Sequence, residues 1–129
     1  MKLFLSIITF VTMSSAFATG SSPFTTQAFE VDSKTAAPVV VGFHSDSCGS
    51  CKVQKPNLES LLQEDSFKNV KGFMANFEGT SDFRKTLKKS VRSPSTIVIF
   101  KAGTEVARIQ GVTDKDELRT LLQNAITKN

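Results

Sequence analysis

The chain has 129 residues, with 16 Lys and Arg against 12 Asp and Glu, a formal charge of +4 and only two cysteines. That length suits one compact domain with one core. Its positive charge is scattered, and the densest grouping (Arg84, Lys85, Lys88, Lys89) lacks the interleaved aromatics of a nucleic-acid binder, which excludes that class.

Lys2 and the apolar run Leu3 to Met13, broken only by Ser6, Thr9 and Thr12, form the n- and h-regions of a secretory signal. Ala16-Phe17-Ala18 supplies the small-x-small cleavage pattern, so residues 1–18 are predicted to be removed after Ala18, leaving an exported, periplasmic-type protein. The run is too short to cross a hydrocarbon core of ~30 Å, and no cysteine near the cut offers a lipid anchor. No membrane attachment is therefore expected after cleavage. Residues 19–24 read as a flexible Ser/Thr/Gly/Pro lead-in, and residues 25–129 as the domain.

Thr25 or Thr26 can cap a helix through about Lys34. Pro38 opens the apolar run Val39-Val40-Val41-Gly42-Phe43, the pattern of a buried central strand. Cys48-Gly49-Ser50-Cys51 follows, then a helix marked by Leu58, Leu61 and Leu62. Val70 to Phe77 is a predicted strand, and Phe83, Leu87 and Val91 the apolar face of a long helix. Thr96 to Phe100 is another buried strand, turned at Ala102-Gly103-Thr104 into a hairpin arm over Glu105 to Gln110. The last helix carries Leu118, Leu121, Leu122, Ala125 and Ile126 on one face, with Thr113 and Asp116 as its capping box. Alternating strands and helices that end in a hairpin predict an α/β domain, a mixed sheet covered on both faces.

Two cysteines in an exported chain commonly form a staple. Here only two residues separate them, so a bridge closes a very small loop and removes little unfolded-state entropy. The pair suits a redox switch better. A zinc site would need two further ligands that these thiolates do not supply.

The apolar strand Val39 to Phe43, then Cys48-Gly49-Ser50-Cys51-Lys52, Pro56, Val91-Arg92, Thr96 to Lys101, Gly103 and Gly111 together resemble thioredoxin, over nearly the whole chain after the signal. The resemblance implies the thioredoxin fold, a central mixed β-sheet flanked by helices on both faces. It also implies thiol–disulfide exchange, with Cys48 as nucleophile and Cys51 as resolving thiol. The expected partners are protein thiols and disulfides in the exported compartment and a redox partner that resets the pair; the protein is expected to be a monomer without a cofactor. The chemistry agrees, since the reactive species is the thiolate and a helix N-terminus favours it.

Four positions depart from that pattern. Ser47 stands where thioredoxins usually have tryptophan, and Ser50 replaces the proline between the cysteines. Gly42 occupies the place of a buried acid that helps deprotonate the resolving thiol. In Pro94-Ser95-Thr96, the loop expected to face the substrate, Ser95 aligns with the family's cis-proline, and a cis bond before a serine would cost ~2.5–4 kcal/mol, so trans is expected; the alternative register has Pro94 itself cis, with a bulge in the strand. His44, the single histidine, lies four residues before Cys48. It reads as an edge-filling ring, as a cation beside the thiolate, or with Cys48 and Cys51 as a Cu(I) ligand. Two alternatives to the enzyme therefore stand: a copper-binding module, and a binding protein that kept the fold without efficient catalysis.

Overall fold

The computed structural model describes residues 20–128. The proposed signal segment lies outside the described residues. Five strands form one sheet: β1 (Ser21–Pro23), β2 (Val39–His44), β3 (Lys71–Asn76), β4 (Thr96–Lys101) and β5 (Thr104–Gln110). The order is β1-β3-β2-β4-β5, with β1 and β2 parallel to β3 and with β4 antiparallel to both β2 and β5. Helices α1 (Thr26–Ser33), α2 (Cys51–Leu62), α3 (Ser81–Thr86) and α4 (Lys115–Thr127) complete the domain.

Strand period 2 divides the core. Val40, Ile97, Ile99 and Ile109 face one way and pack with Leu58, Leu61 and Leu62 of α2 and Leu118, Leu122 and Ala125 of α4. Val39, Val41, Phe43, Phe73, Val98 and Phe100 face the other way and meet Phe29 of α1 and the partly buried Phe83 of α3. Both faces of the sheet are thus covered, as the alternating pattern implied. Each fully buried large aliphatic or aromatic side chain contributes roughly 1.5–3 kcal/mol. Thr25 caps α1, its hydroxyl accepting from the Ala28 N–H at 3.1 Å. The β4–β5 turn places Ala102 and Gly103 at φ 50° and 79°, the left-handed pair of a type I′ hairpin.

Three expectations are corrected. Ser21–Pro23, read as part of a flexible lead-in, add a parallel edge strand to β3, and the Phe24 N–H continues the pairing to the Met74 carbonyl at 3.0 Å. Phe24 then anchors the segment, its ring 4.7 Å from Phe83 and 6.0 Å from Phe29 and Phe73. The long helix expected through Val91 stops at Thr86, with Leu87 already extended. Arginine side chains hold the carbonyls beyond it: Arg84 bonds to Val91 at 2.7 Å, and Arg108 to Lys89 and Ser90. Phe83, Leu87 and Val91 still face the core together. Finally, α4 is capped one residue later than Thr113, by Asp114, whose carboxylate accepts from the Glu117 N–H at 2.8 Å.

Candidate functional site

Strand β2 runs buried to its end at His44, and the chain then turns through Ser45 to Ser50 into α2. The turn is tied down by the Cys48 N–H, which donates to the Ser45 carbonyl at 3.1 Å. Ser50 is the N-cap of α2, yet its side chain makes no capping bond. The Cys48 sulfur takes that part, accepting the Cys51 N–H at 3.2 Å, and the Ser50 hydroxyl lies 3.4 Å from the same sulfur. One orphan donor of the helix end is thereby aimed at sulfur. Cys48 and Cys51 are disulfide-bonded, with Cα atoms 5.3 Å apart. The two differ sharply in access: Cys48 is half-buried between the exposed Gly49 and Ser47, whereas Cys51 is 3% exposed.

The Pro94-Ser95-Thr96 loop enters β4 beside this turn. No peptide bond among the described residues is cis, so Ser95 is trans, as expected of a serine. Its φ is +60°, unusual for a residue with a side chain. Three hydrogen bonds hold it there. The Ser95 N–H donates to Phe43 O at 2.9 Å, and the Ser95 carbonyl accepts from Gly111 N–H at 2.9 Å and from Gln54 Nε2 at 3.1 Å. The Ser95 hydroxyl is buried without a hydrogen-bond partner. Thr96 is fully buried, with its hydroxyl on the Ser93 carbonyl at 2.9 Å.

An acid at Gly42 would need the Leu58 and Met74 side chains to shift. A Cβ there would lie 2.9 Å from Leu58 Cδ2 and 3.3 Å from Met74 Sδ, so both side chains occupy the acid's place. Ser47 is exposed, and its hydroxyl bonds to that of the buried Ser45 at 3.0 Å. Ser45 also bonds to the Glu78 carboxylate, and this hydrogen bond holds the Glu78 carboxyl below the usual range. His44 is half-buried. Burial first, and the Lys55 ammonium second, push its pKa below the ordinary value, while Asp46, Glu59 and Glu78 pull the other way. Lys55 pairs with Glu59 at 3.8 Å on the exposed face of α2. The helix continues through Pro56 to Leu62. Among the described residues no group of three or more His, Cys, Asp or Glu side chains is placed to hold a metal ion, and Cys48 and Cys51 are joined to each other.

Gln54 was not singled out in the sequence. It is 3% exposed, three residues after Cys51, and its amide donates to Ser95 O and, at 2.9 Å, to Val112 O. Asn57 donates to Thr113 O at 2.8 Å. These two amides lock the first turns of α2 to both neighbouring loops. The signal was present: Cys51, Gln54, Leu58 and Leu61 share one helical face, and a glutamine in such a row needs buried partners.

A family model for thioredoxin matches residues 21–124. The chain belongs to the thioredoxin family. It is 34% identical over 91 residues to a thioredoxin of Chlamydia trachomatis, an alignment covering 70% of this chain and 85% of that protein. Bovine mitochondrial thioredoxin is 33% identical over 96 residues, 74% of this chain and 55% of its own length, so the chain spans little more than half of that relative. A disulfide bond formation protein of Brevibacillus choshinensis is 30% identical over 84 residues, 65% of this chain and 70% of that one. Among solved structures, Trxlp of Edwardsiella tarda superposes with a TM-score of 0.72 at 26% identity, covering 84% of this chain and 99% of that one. Within the thioredoxin family, the CxxC turn at the start of the first long helix is where this chain's cysteine pair falls.

Proposed function

We propose that this thioredoxin-family chain is a thiol–disulfide oxidoreductase acting, as a monomer, on exported proteins. The observation that carries the reading is the asymmetry of the pair: an accessible sulfur at a helix N-terminus beside a buried one. Cys48 is the nucleophile. Its thiolate attacks a client disulfide, a Cys48–client disulfide forms, and one client sulfur leaves as thiolate. Cys51, as thiolate, then attacks the Cys48 sulfur, releasing the second client thiolate and closing the Cys48–Cys51 disulfide. The client gains two electrons and the chain loses them; the reverse sequence oxidises a dithiol client. A redox partner of the same compartment resets the pair.

The signal-like segment at residues 1–18 supports export, and the similarity to a disulfide bond formation protein supports chemistry on protein disulfides. Two measurements test the reading. A Cys51→Ser variant expressed in full should accumulate client adducts that reductant releases, and the absence of adducts under oxidising conditions overturns it. The N-terminal sequence of the protein recovered from cells should begin at Thr19; an unprocessed chain in the cytosol overturns the export assignment.

A further inference from the structure

Resolution requires Cys51 to lose a proton, and Cys51 is 3% exposed. Position 42 on β2, where the resemblance to thioredoxin implies a buried acid, is a glycine packed by Leu58 and Met74 and carries no base. The next residue on the same face of the strand is His44, since alternate residues share a face. A cavity of about 140 Å³ is lined by both His44 and Cys51, together with Ser45, Asp46, Lys52 and Lys55. That space exceeds the ~10–15 Å³ one water needs and has polar walls, so a water can carry a proton across it. His44 also lines a second cavity, of about 300 Å³, which Lys55 and Glu59 border as well. The imidazole therefore borders both the cavity that reaches the buried thiol and a second one that extends to Glu59.

We propose that His44 accepts the Cys51 proton during resolution, across the cavity the two residues share, doing the work of the acid that position 42 lacks. The inference rests on the oxidoreductase reading above. Proton and electrons balance: the Cys51 S–H proton goes to the neutral imidazole, the Cys51 thiolate displaces the client thiolate from Cys48, and the imidazolium returns its proton to the client sulfur or to water. A neutral imidazole is needed, and burial and the Lys55 charge favour it. The other charges facing His44 are Asp46 from the β2–α2 turn, Glu59 from α2 and Glu78 from the turn after β3, with Lys52 on the cavity wall.

The test is stopped-flow reaction of the reduced protein with an aromatic disulfide, which releases one coloured thiolate when Cys48 attacks and a second when Cys51 resolves. His44→Gln should slow the second phase roughly tenfold and leave the first within about twofold. That is less than the ~10²–10⁴-fold typical of general bases, because a thiol is already partly ionised near neutral pH. The wild-type second phase should rise with pH to an inflection below the ordinary histidine value, and Lys55→Gln should move that inflection upward. Free imidazole should restore the second phase in His44→Ala. An unchanged second phase in His44→Gln, or loss carried by Asp46→Asn instead, overturns the assignment while leaving the oxidoreductase reading intact. If the histidine variants do not fold, the wild-type profile decides, and a second phase without that inflection overturns the proposal. A wild-type protein that shows no second phase overturns both readings.

Discussion

At Cys48 the sulfur replaces the missing side-chain cap of α2, and Ser50 adds a hydroxyl that a proline could not supply. A donor to the thiolate favours the charged, reactive form, so Ser50→Ala should make Cys48 less reactive. In a Cys51→Ser background, alkylation of Cys48 at neutral pH should slow roughly two- to tenfold, the range of a hydrogen bond worth ~0.5–1.5 kcal/mol. Equal rates would show that the 3.4 Å separation transmits no stabilisation. Ser95 presents the opposite case, a residue held against its own preference. A left-handed backbone costs a residue with a Cβ roughly 1–2 kcal/mol, and its buried hydroxyl lacks a partner. Ser95→Gly removes both penalties and gives back ~0.5–1 kcal/mol through the freer unfolded chain. The variant should gain about 1 kcal/mol in urea unfolding. Ser95→Pro, which restores the family residue, should instead lose ~3 kcal/mol or more, because φ is +60° and the Ser95 N–H is bonded to Phe43.

At the scale of elements, α2 is positioned by polar as much as apolar contacts. Leu58, Leu61 and Leu62 fix its distance from the sheet, and Gln54 and Asn57 fix its first turns against the loops that end in Ser95 and Thr113. Gln54→Leu keeps much of the volume and removes both amide bonds. Ser95 O retains the Gly111 N–H, while Val112 O loses its Gln54 donor. The expected loss is ~1–3 kcal/mol, read as a lower urea midpoint with an unchanged slope. An unchanged midpoint would mean that solvent replaces the amide. The same elements explain what the sequence made legible. Strands β2 and β4 announce themselves because both faces are buried, giving unbroken apolar runs, and α4 because its stripe faces one core. The end of α3 was hidden, since Arg84 and Arg108 reach across the fold to take carbonyls that a helix would otherwise use. Strand β1 was hidden too: Ser21–Pro23 is short and polar, and its pairing depends on β3, fifty residues away. At the site, the cysteine pair was legible from spacing, whereas the Gln54 clamp and the cavity shared by His44 and Cys51 are properties of the folded chain alone.

For the whole molecule, the cysteine pair sits at one end of a domain whose two cores do not depend on it. Val40 with α2 and α4, and Val41 with α1 and α3, are covered whether or not the sulfurs are joined, and only Cys51 reaches into the buried set. Reduced protein should therefore unfold cooperatively from a native state. Folding and reduction form a closed cycle, so the difference in stability between the two forms equals the difference in disulfide strength between folded and unfolded chain. Closing so short a loop favours the oxidised form by up to ~2 kcal/mol in the chain-entropy account. The donors aimed at the Cys48 sulfur favour the thiolate and oppose it. The expected net is a preference of less than about 2 kcal/mol for the oxidised form, measured as the difference in urea unfolding free energy with and without reductant. Its sign also reads direction, because each ~1.4 kcal/mol corresponds to ~30 mV in a two-electron couple. A more stable oxidised form marks a pair that tends to reduce its clients. A more stable reduced form would mean that the Cys51 N–H and Ser50 hydroxyl outweigh loop closure, and would assign the protein to disulfide formation instead. Loss of cooperative unfolding on reduction would make the pair a structural staple, and would remove the basis for placing a redox switch at this helix end.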